Sequence, residues 1–351
     1  MKGEEGRMNA CLNNSSSVGG CYEDSFKRTA YSATYLMLFP FALICNGGAL
    51  AAFILQRSRR SSASCVVMTN LALSDFSFSL TLPLRLHYYF SEHVWKFSDW
   101  LCRLCVYCFY VNLYTSILFL TLLSVLRWLA VTRPLRHRTL ATPAKAILVC
   151  LGVWLLVGGA SAPFLVNGRV CRAGVLRCFD PPTGPSSIML LIMNWVAVLI
   201  GFLLPFLTII LSYSRVVRRL TTRSSLHGTD GPSARLRRCN RRRSIHLVAM
   251  VMATFVVCFL PYHVMRSVHL HATFAKWGCD VTAPLQKVVA VTLCMAASNS
   301  AINPLLYYYS TRRFRDNLRD AHASLSSRRG SIVPAIPLNR RRNIPQCPPK
   351  P

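Results

Sequence analysis

Two arginines inside long apolar segments are the residues of this sequence best suited to bind an anion. Arg85 lies ten positions after Asp75 in one such segment, and at the rise of an α-helix this places it about 15 Å further along the same helix. Arg266 lies in a second apolar segment, and neither arginine has an acidic residue at a comparable depth. The two residues therefore predict a pocket for an anion that arrives from outside. The competing interpretation is that a long cationic side chain extends along its helix until the charged group reaches the polar end of the apolar segment. It applies mainly to Arg103 and Lys287, which lie near segment ends.

Aromatic residues accompany the two arginines at helical spacing. Tyr110 and Tyr114 are four residues apart, and His263 precedes Arg266 by three, so each pair shares one helix face. Tyrosine supplies an apolar ring face together with a hydroxyl donor. We therefore predict that Tyr110, Tyr114 and His263 line the same ligand-binding pocket as Arg85 and Arg266.

Asp75 is the only acidic residue in the middle of an apolar segment. An ionised group at such a depth is costly and usually functional. Its expected companions are Asn112 and Ser116 on one segment and Asn299 and Asn303 on another. One carboxylate among neutral oxygens suits a sodium ion or a proton-linked switch. The alternative is a hydrated polar cluster that only holds the helices together.

Catalytic chemistry is not indicated, and we predict that the protein is not an enzyme. No nucleophile and base occur in the arrangement that covalent catalysis requires. His269 and His271 have the spacing of a metal pair but lack a third ligand nearby. We therefore expect no cofactor and no metal site other than sodium at Asp75.

A third group of residues lies near the opposite ends of the apolar segments. Arg127 and Tyr213 stand at the ends of two segments, and Tyr307 follows an Asn-Pro pair in a third. Proline within a helix removes a hydrogen bond and produces a kink or pivot. The prolines, among them Pro261 beside Phe259, together with Arg127, Tyr213 and Tyr307 therefore predict a two-state hinge.

Composition identifies the elements that must position these groups. Of 351 residues, 52% are hydrophobic and only 15% are charged, as expected of a polytopic membrane protein. Seven stretches reach about the 20 residues that a transmembrane helix needs: Tyr31–Leu55, Cys65–Phe90, Leu101–Val131, Lys145–Val166, Ile188–Leu211, Ile245–Leu270 and Pro284–Tyr309. Because lipid cannot satisfy backbone groups, each stretch must be helical. The predicted fold is an all-α, seven-transmembrane helix bundle.

The basic residues are distributed unevenly between the two sides of this bundle. A net charge of +29 and the run Arg237–Arg243 raise the alternative of nucleic-acid binding. However, 27 of the 41 lysines and arginines fall on the side that carries the carboxyl terminus. This asymmetry predicts a multi-pass plasma-membrane protein with an extracellular amino terminus, whose basic runs contact membrane lipids and not nucleic acid.

The remaining segments have simpler compositions. Phe314 and Leu318 lie four apart among arginines, which predicts a short amphipathic helix on the cytoplasmic face. Ser331 follows two arginines and resembles a kinase site, although an incidental match is an equal alternative. The chain accordingly divides into an extracellular tail (1–30), a seven-transmembrane bundle (31–310), the amphipathic helix (311–323) and a disordered cytoplasmic tail (324–351).

The extracellular segments carry the residues expected to be modified. Asn13 and Asn14 begin overlapping N-x-S acceptor sites for glycosylation. Cys102 stands at the outer tip of the third segment and is expected to anchor the following loop through either Cys171 or Cys178. The cysteines in segments predicted to be extracellular are Cys11, Cys21, Cys102, Cys171, Cys178 and Cys279.

Taken together, these residues resemble the rhodopsin-like G protein-coupled receptors. The pattern comprises Asn46, Leu71-Ala72-Leu73-Ser74-Asp75, Cys102, Arg127, Trp154, Pro205, Tyr213, Cys258-Phe259-Leu260-Pro261 and Asn303-Pro304-Leu305-Leu306-Tyr307. A closer similarity to the cysteinyl leukotriene receptors, of type 1 or type 2, is carried by Thr81-Leu82-Pro83-Leu84-Arg85, Leu101-Cys102-Arg103, Tyr110-Val111-Asn112-Leu113-Tyr114, Cys178-Phe179-Asp180-Pro181-Pro182, Pro261 to His271 and Met295-Ala296-Ala297-Ser298-Asn299.

The resemblance implies a ligand, partners and two disulfides. The ligand would be a cysteinyl leukotriene, an anionic lipid mediator. The partners would be a heterotrimeric G protein, mainly of the Gq type acting through phospholipase C and calcium release, and arrestin and kinases at the carboxyl tail. Arg127, Tyr213 and Tyr307 would form the surface that couples to the G protein. The implied disulfides are Cys102–Cys178 and Cys21–Cys279, which would leave Cys11 and Cys171 over.

Two features depart from the wider receptor pattern. Leu126 stands before Arg127 where an acid is usual, so the common resting-state ion pair is absent, and Phe259 replaces the more frequent tryptophan.

Two rival interpretations remain. A rhodopsin-like receptor for a nucleotide or a small dicarboxylate would use similar arginines, whereas a transporter or channel would be expected to show internal repeats and several intramembrane charges.

Overall fold

Seven long apolar helices form the described part of the chain. The computed structural model describes residues 24–56, 62–166, 170–172, 175–179, 186–222 and 245–310. Within these ranges, the helices long and apolar enough to cross a membrane are Ser25–Ile54, Ala63–Phe90, Asp99–Thr132, Pro143–Leu165, Ile188–Arg219, Ile245–Phe274 and Cys279–Tyr309. The predicted seven-transmembrane bundle is confirmed, and these helices are called the first to seventh spans.

Several spans are composed of more than one regular element. The helical elements of the described residues are Asp24–Gln56, Ala63–Ser79, Leu82–Phe90, Asp99–Thr132, Pro134–Leu140, Pro143–Ser161, the 3₁₀ turn Ala162–Leu165, Ser186–Val196, the π-helical Ala197–Leu203, Leu204–Thr222, the π-helical Phe255–Phe259, Leu260–Phe274, Cys279–Ala297 and Asn299–Ser310. The sixth span is also helical from Ile245 to Thr254. The first helix begins at Asp24, within the segment predicted to be tail.

The third span lies at the centre of the bundle. In its most apolar stretch 67% of the residues are buried, against 22% in the corresponding stretches of the fourth and fifth spans. A helix that contacts neighbours on several sides has little surface left for lipid. The third span is therefore positioned to present side chains both to an outer pocket and to a polar core.

Prolines in the fifth and sixth spans follow wide helical turns. Pro205 follows closely on the π-helical Ala197–Leu203, and Pro261 follows closely on the π-helical Phe255–Phe259. Proline has no N–H to donate to the preceding turn, so the helix accommodates it by a local change of pitch. Both deformations lie beside residues of the predicted pocket or hinge.

Pro304 of the seventh span is compensated by a side chain of the first span. Pro304 leaves the carbonyl of Ser300 without its helical donor. Asn46 Nδ2 donates to this carbonyl at 2.8 Å, and both residues are fully buried. An unsatisfied carbonyl in lipid is costly, so this contact explains an asparagine in an otherwise apolar helix.

The loop after the fourth span contains a short β-hairpin that the sequence did not predict. Val170–Arg172 pairs antiparallel with Val175–Arg177. The disulfide Cys102–Cys178 then joins the end of the hairpin to the third span, which confirms the pairing implied by the resemblance. Cys279 is also disulfide-bonded, but its predicted partner Cys21 lies outside the described residues.

Other predictions also concern residues that the structure does not describe. These are the glycosylation sites Asn13 and Asn14, Cys11, the amphipathic helix 311–323, the tail 324–351 and Ser331. They stay predictions.

Candidate functional site

Arg85 is enclosed by aromatic rings at the outer end of the second span. Only 4% of its surface is exposed. Its Nη2 donates to the carbonyl oxygen of Cys105 at 2.7 Å, whereas its Nε has no partner. The guanidinium carbon lies 4.4 Å from the ring centre of Phe179 and 5.2 Å from that of Phe109. Ring faces stabilise this cation without neutralising it, so its attraction for an anion is retained.

Phe179 forms the outer wall of this aromatic enclosure. It follows Cys178 directly, so the disulfide to the third span fixes its position. Its φ of 69° lies in the left-handed region that phenylalanine rarely adopts. The ring also contacts Tyr88 and Trp95 edge to face, at 5.3 and 5.7 Å between centres. The role of Phe179 was missed from the sequence, where adjacency to a disulfide cysteine was the only available signal.

Arg266 lies on the sixth span near tyrosines of the first and third spans. It is partly buried, and it interacts electrostatically with Tyr110, Tyr114, Tyr262 and Tyr31. Tyr31 also interacts electrostatically with Arg85, so one tyrosine of the first span is near both arginines. Tyr31 was not predicted as a pocket residue.

Neither Arg85 nor Arg266 forms an ion pair within the described residues. The ion pairs found there are Arg28–Glu92 and Arg103–Asp99, the second of these at 2.9 Å from Arg103 Nε to the carboxylate. Arg103 also donates to the carbonyl of Leu165 at 3.1 Å. Arg103 is thus satisfied at the outer end of the third span, as its position in the sequence suggested.

Tyr110 and Tyr114 are held by contacts on different sides of the third span. The ring of Tyr110 stacks on Phe164 of the fourth span, with centres 4.0 Å apart and planes 6° from parallel. The ring of Tyr114 meets His263 edge to face at 5.9 Å. Gly201, in the π-helical part of the fifth span, lies so close to Tyr114 that a Cβ there would be 3.0 Å from its ring.

His263 is oriented by its own helix. Its Nδ1 lies 2.8 Å from the carbonyl oxygen of Phe259, and because a carbonyl only accepts, Nδ1 carries the proton. The ring stacks on Phe202 at 4.4 Å, and only 3% of the residue is exposed. The remaining nitrogen, Nε2, is a buried acceptor without a partner. In the neutral ring, Nε2 is therefore the nitrogen that can accept a hydrogen bond from a ligand.

The predicted companions of Asp75 surround its carboxylate. Asn112 Nδ2 donates to Oδ1 at 2.9 Å and Asn303 Nδ2 donates to Oδ2 at 2.8 Å, while Ser116 Oγ lies 3.5 Å from Oδ1. Asn303 also donates to Asn299 Oδ1 at 3.1 Å. Asp75 is fully buried, so the second, third and seventh spans meet in a buried polar cluster.

The donor set of this cluster fits a small hard cation. Oxygen atoms of one carboxylate, hydroxyls and amides are the ligands that such ions prefer. Asn303 Oδ1 is buried without a hydrogen-bond partner. A cation would be held by Asp75 and Ser116, with amide oxygens of Asn112, Asn299 or Asn303 available to it.

The three residues predicted to form a coupling surface are not together. Arg127 interacts electrostatically with Tyr213, whose hydroxyl lies 2.7 Å from Ser124 Oγ. Tyr307 is instead fully buried, with its ring edge to face against Phe53 at 5.7 Å, and it interacts electrostatically with Asp75. Tyr307 thus belongs to the polar cluster in this conformation.

The predicted hinge lies between the pocket and the inner ends of the spans. Phe259 is fully buried, and its ring contacts Phe255 edge to face at 5.3 Å. It is the last residue before the helix resumes at Leu260 and Pro261. A shift of the ring would therefore change how the sixth span packs on either side of the proline.

Comparisons with known proteins agree on one family. Residues 45–307 match the model described as 7 transmembrane receptor (rhodopsin family). The chain is 40% identical over 301 residues to cysteinyl leukotriene receptor 2 of Mus musculus, covering 85% of this chain and 93% of that protein. It is 38% identical over 303 residues to cysteinyl leukotriene receptor 1 of Cavia porcellus, covering 85% and 86%. A purinoceptor of Rattus norvegicus is 33% identical over 308 residues, covering 87% and 82%.

Proposed function

The chain belongs to the rhodopsin family of seven-transmembrane receptors, and from this premise we propose that it is a receptor for cysteinyl leukotrienes. Its similarity to the cysteinyl leukotriene receptors is confirmed, and as a member of a receptor family it is not an enzyme. Seven-helix receptors of this family are multi-pass plasma-membrane proteins. The match to receptors also removes the support for a transporter or channel.

The main support for the ligand proposal is a pair of arginines that lack acidic partners among the described residues and that both interact with tyrosines. Arg85 and Arg266 form no ion pair within the described residues, and Tyr31 interacts with both. A cysteinyl leukotriene combines carboxylates with a long apolar chain. Its carboxylates would bind the guanidinium groups, and its chain would lie along Tyr110 and Tyr114.

Signalling would follow from a change in helix packing. A ligand shifts a two-state equilibrium only when it binds one state more tightly. Carboxylates bound by Arg85 and Arg266, with the apolar chain against Tyr110 and Tyr114, would draw the sixth span toward the second and third spans. This would favour a packing in which the sixth span pivots at Pro261. The inner cleft beside Arg127 and Tyr213 would then receive a heterotrimeric G protein, mainly of the Gq type, leading to phospholipase C activation and calcium release.

The proposal includes the orientation and further partners of the receptor. The excess of basic residues after the third and fifth spans supports a cytoplasmic location for these ends and an extracellular amino terminus. Arrestin and kinases would then meet the carboxyl tail. A sodium ion at Asp75 would stabilise the resting packing, since the cluster joins the second, third and seventh spans.

A panel of anionic ligands tests the proposed specificity. In cells that express the full chain, we expect calcium release in response to cysteinyl leukotrienes and none in response to nucleotides or small dicarboxylates. The lipid is expected to be preferred because its long chain buries more apolar surface against the aromatic walls than a nucleotide base or a short dicarboxylate does. Cells that lack the receptor provide the control.

The purinoceptor relative makes a nucleotide the second candidate. A response to nucleotides at lower concentrations than to any leukotriene would reject the lipid proposal and establish this alternative. An equal absence of response to all three classes, at normal surface expression, would reject both.

Gly201→Ala should weaken leukotriene potency by roughly threefold, because overpacking forces a side chain from its preferred position. The added methyl would stand 3.0 Å from the ring of Tyr114. Gly152→Ala is the matched control, since a Cβ at Gly152 would meet nothing within 4 Å. Dose–response curves at equal surface expression measure the difference. Equal potency of the two variants would show that Tyr114 does not need its observed position.

A further inference from the structure

Four arginines converge on a cleft outside the ligand pocket, between the inner ends of the third and fifth spans. The cleft has a volume of about 410 Å³, and the described residues that line it are Trp128, Thr132, Arg133, Arg215, Arg218 and Arg219. No carboxylate occurs among these lining residues. The receptor mechanism described above does not use this cleft.

The fifth span carries its arginines on the side turned away from the bundle interior. Tyr213 and Val216 are buried, with 5% and 1% of their surfaces exposed, whereas Arg215 and Arg219 are exposed. Arg215 and Arg219 are four residues apart, so they share one helix face. Their side chains therefore lie on the outer side of the fifth span, away from the buried Tyr213 and Val216.

Trp128 indicates the depth at which the cleft opens. Tryptophan is enriched at the level of the lipid headgroups, because its ring is apolar and its N–H is polar. The guanidinium carbon of Arg215 lies 5.7 Å from the centre of the Trp128 ring. The aromatic ring thus forms an apolar wall beside a cationic group at the level where lipid phosphates lie.

The charge of this end of the molecule selects an anionic occupant. By sequence, the segments on the side of Arg127 contain 27 lysines and arginines and only three acids, Asp230, Asp316 and Asp320. Guanidinium groups bind phosphate through two parallel hydrogen bonds. Basic recesses between transmembrane helices on the cytoplasmic side suit lipid headgroups with several phosphates.

We propose that the cleft between the third and fifth spans binds an inner-leaflet lipid whose headgroup carries two or more phosphate groups. Arg215 and Arg219 bind the phosphates from the fifth span, and Arg133 binds them from the end of the third. Trp128 packs against the glycerol and upper acyl region. The bound lipid adds a link between the inner ends of these two spans, which are already joined by the hydrogen bond between Ser124 and Tyr213.

Lipid binding to the purified full-length receptor tests this assignment. The probes are phosphatidylinositol 4,5-bisphosphate in phosphatidylcholine nanodiscs, phosphatidylserine at matched charge, and soluble inositol trisphosphate. Arg215→Gln combined with Arg219→Gln should weaken binding of the bisphosphate lipid by about tenfold, the effect of losing charge-assisted contacts. Arg215→Lys combined with Arg219→Lys keeps the charge but lacks the planar guanidinium, so an intermediate loss of lipid affinity is expected.

Arg136→Gln combined with Arg138→Gln is the matched control. Both residues are exposed on the neighbouring helix Pro134–Leu140, outside the cleft, and the substitution removes the same charge. Unchanged melting temperatures without added lipid verify folding. An equal loss in the control, or equal binding of phosphatidylserine, would show diffuse attraction to an anionic surface and overturn the proposal. Equally tight binding of soluble inositol trisphosphate would also overturn it, by identifying a soluble ligand.

Discussion

Arg266→Ala and Arg85→Ala are each expected to reduce leukotriene potency by at least about tenfold, as expected when a charge-assisted hydrogen bond to a carboxylate is lost. Neither guanidinium forms an ion pair within the described residues, so the ligand carboxylate would be the first anion that either one meets. Dose–response curves for calcium release, at matched surface expression, measure the shift. Arg266→Ala should lower ligand affinity more than it lowers the stability of the receptor, because this residue is only partly buried.

Arg103→Ala distinguishes the loss of a ligand contact from the loss of positive charge. Arg103 lies at the outer end of the third span but is already paired with Asp99, so its removal should leave potency nearly unchanged. Arg85 also supports its aromatic neighbours, and Arg85→Lys separates these roles by keeping the cation without the planar fork. If Arg266→Ala and Arg85→Ala resembled Arg103→Ala, the anion pocket would be rejected.

The number and nature of the spans were predictable because they depend on local physics. A helix in lipid must satisfy its own backbone, so about 20 apolar residues suffice to identify it. The companions of Asp75 were also predictable, since a buried carboxylate requires polar partners and the apolar segments offer few. Asn112 and Asn303 indeed donate to it.

Contacts between distant segments were the part that sequence reasoning did not reach. Phe179 covers Arg85 only because a hairpin and the disulfide of Cys178 bring it there, and strands of three residues carry almost no periodic signal. The position of Tyr307 depends on the direction in which the seventh span continues after the break between Ala297 and Asn299. The spacing of residues along the sequence does not predict this direction. Helical periodicity predicts the face of a residue only while the helix remains regular.

Asp75→Asn is expected to abolish the effect of sodium on agonist binding. If sodium binds the resting packing preferentially, it must by reciprocity lower agonist affinity, and a coupling of about fivefold or more is typical of allosteric sites. The substitution keeps the size of the side chain but removes the charge that holds the cation. Agonist competition binding measured in sodium chloride and in choline chloride at equal ionic strength gives the comparison.

The same substitution should also destabilise the receptor, because both oxygens of Asp75 accept from amide groups. In an asparagine one of these atoms becomes a donor that faces the Nδ2 of Asn112 or Asn303. Rotation of Asn303 would relieve the conflict only by breaking its bond to Asn299, so a loss of roughly 1–3 kcal/mol is expected in thermal unfolding. Asp99→Asn removes the same charge at the outer end of the third span and should preserve the sodium effect. If agonist affinity still depended on sodium in Asp75→Asn, the cation would have to bind outside the cluster.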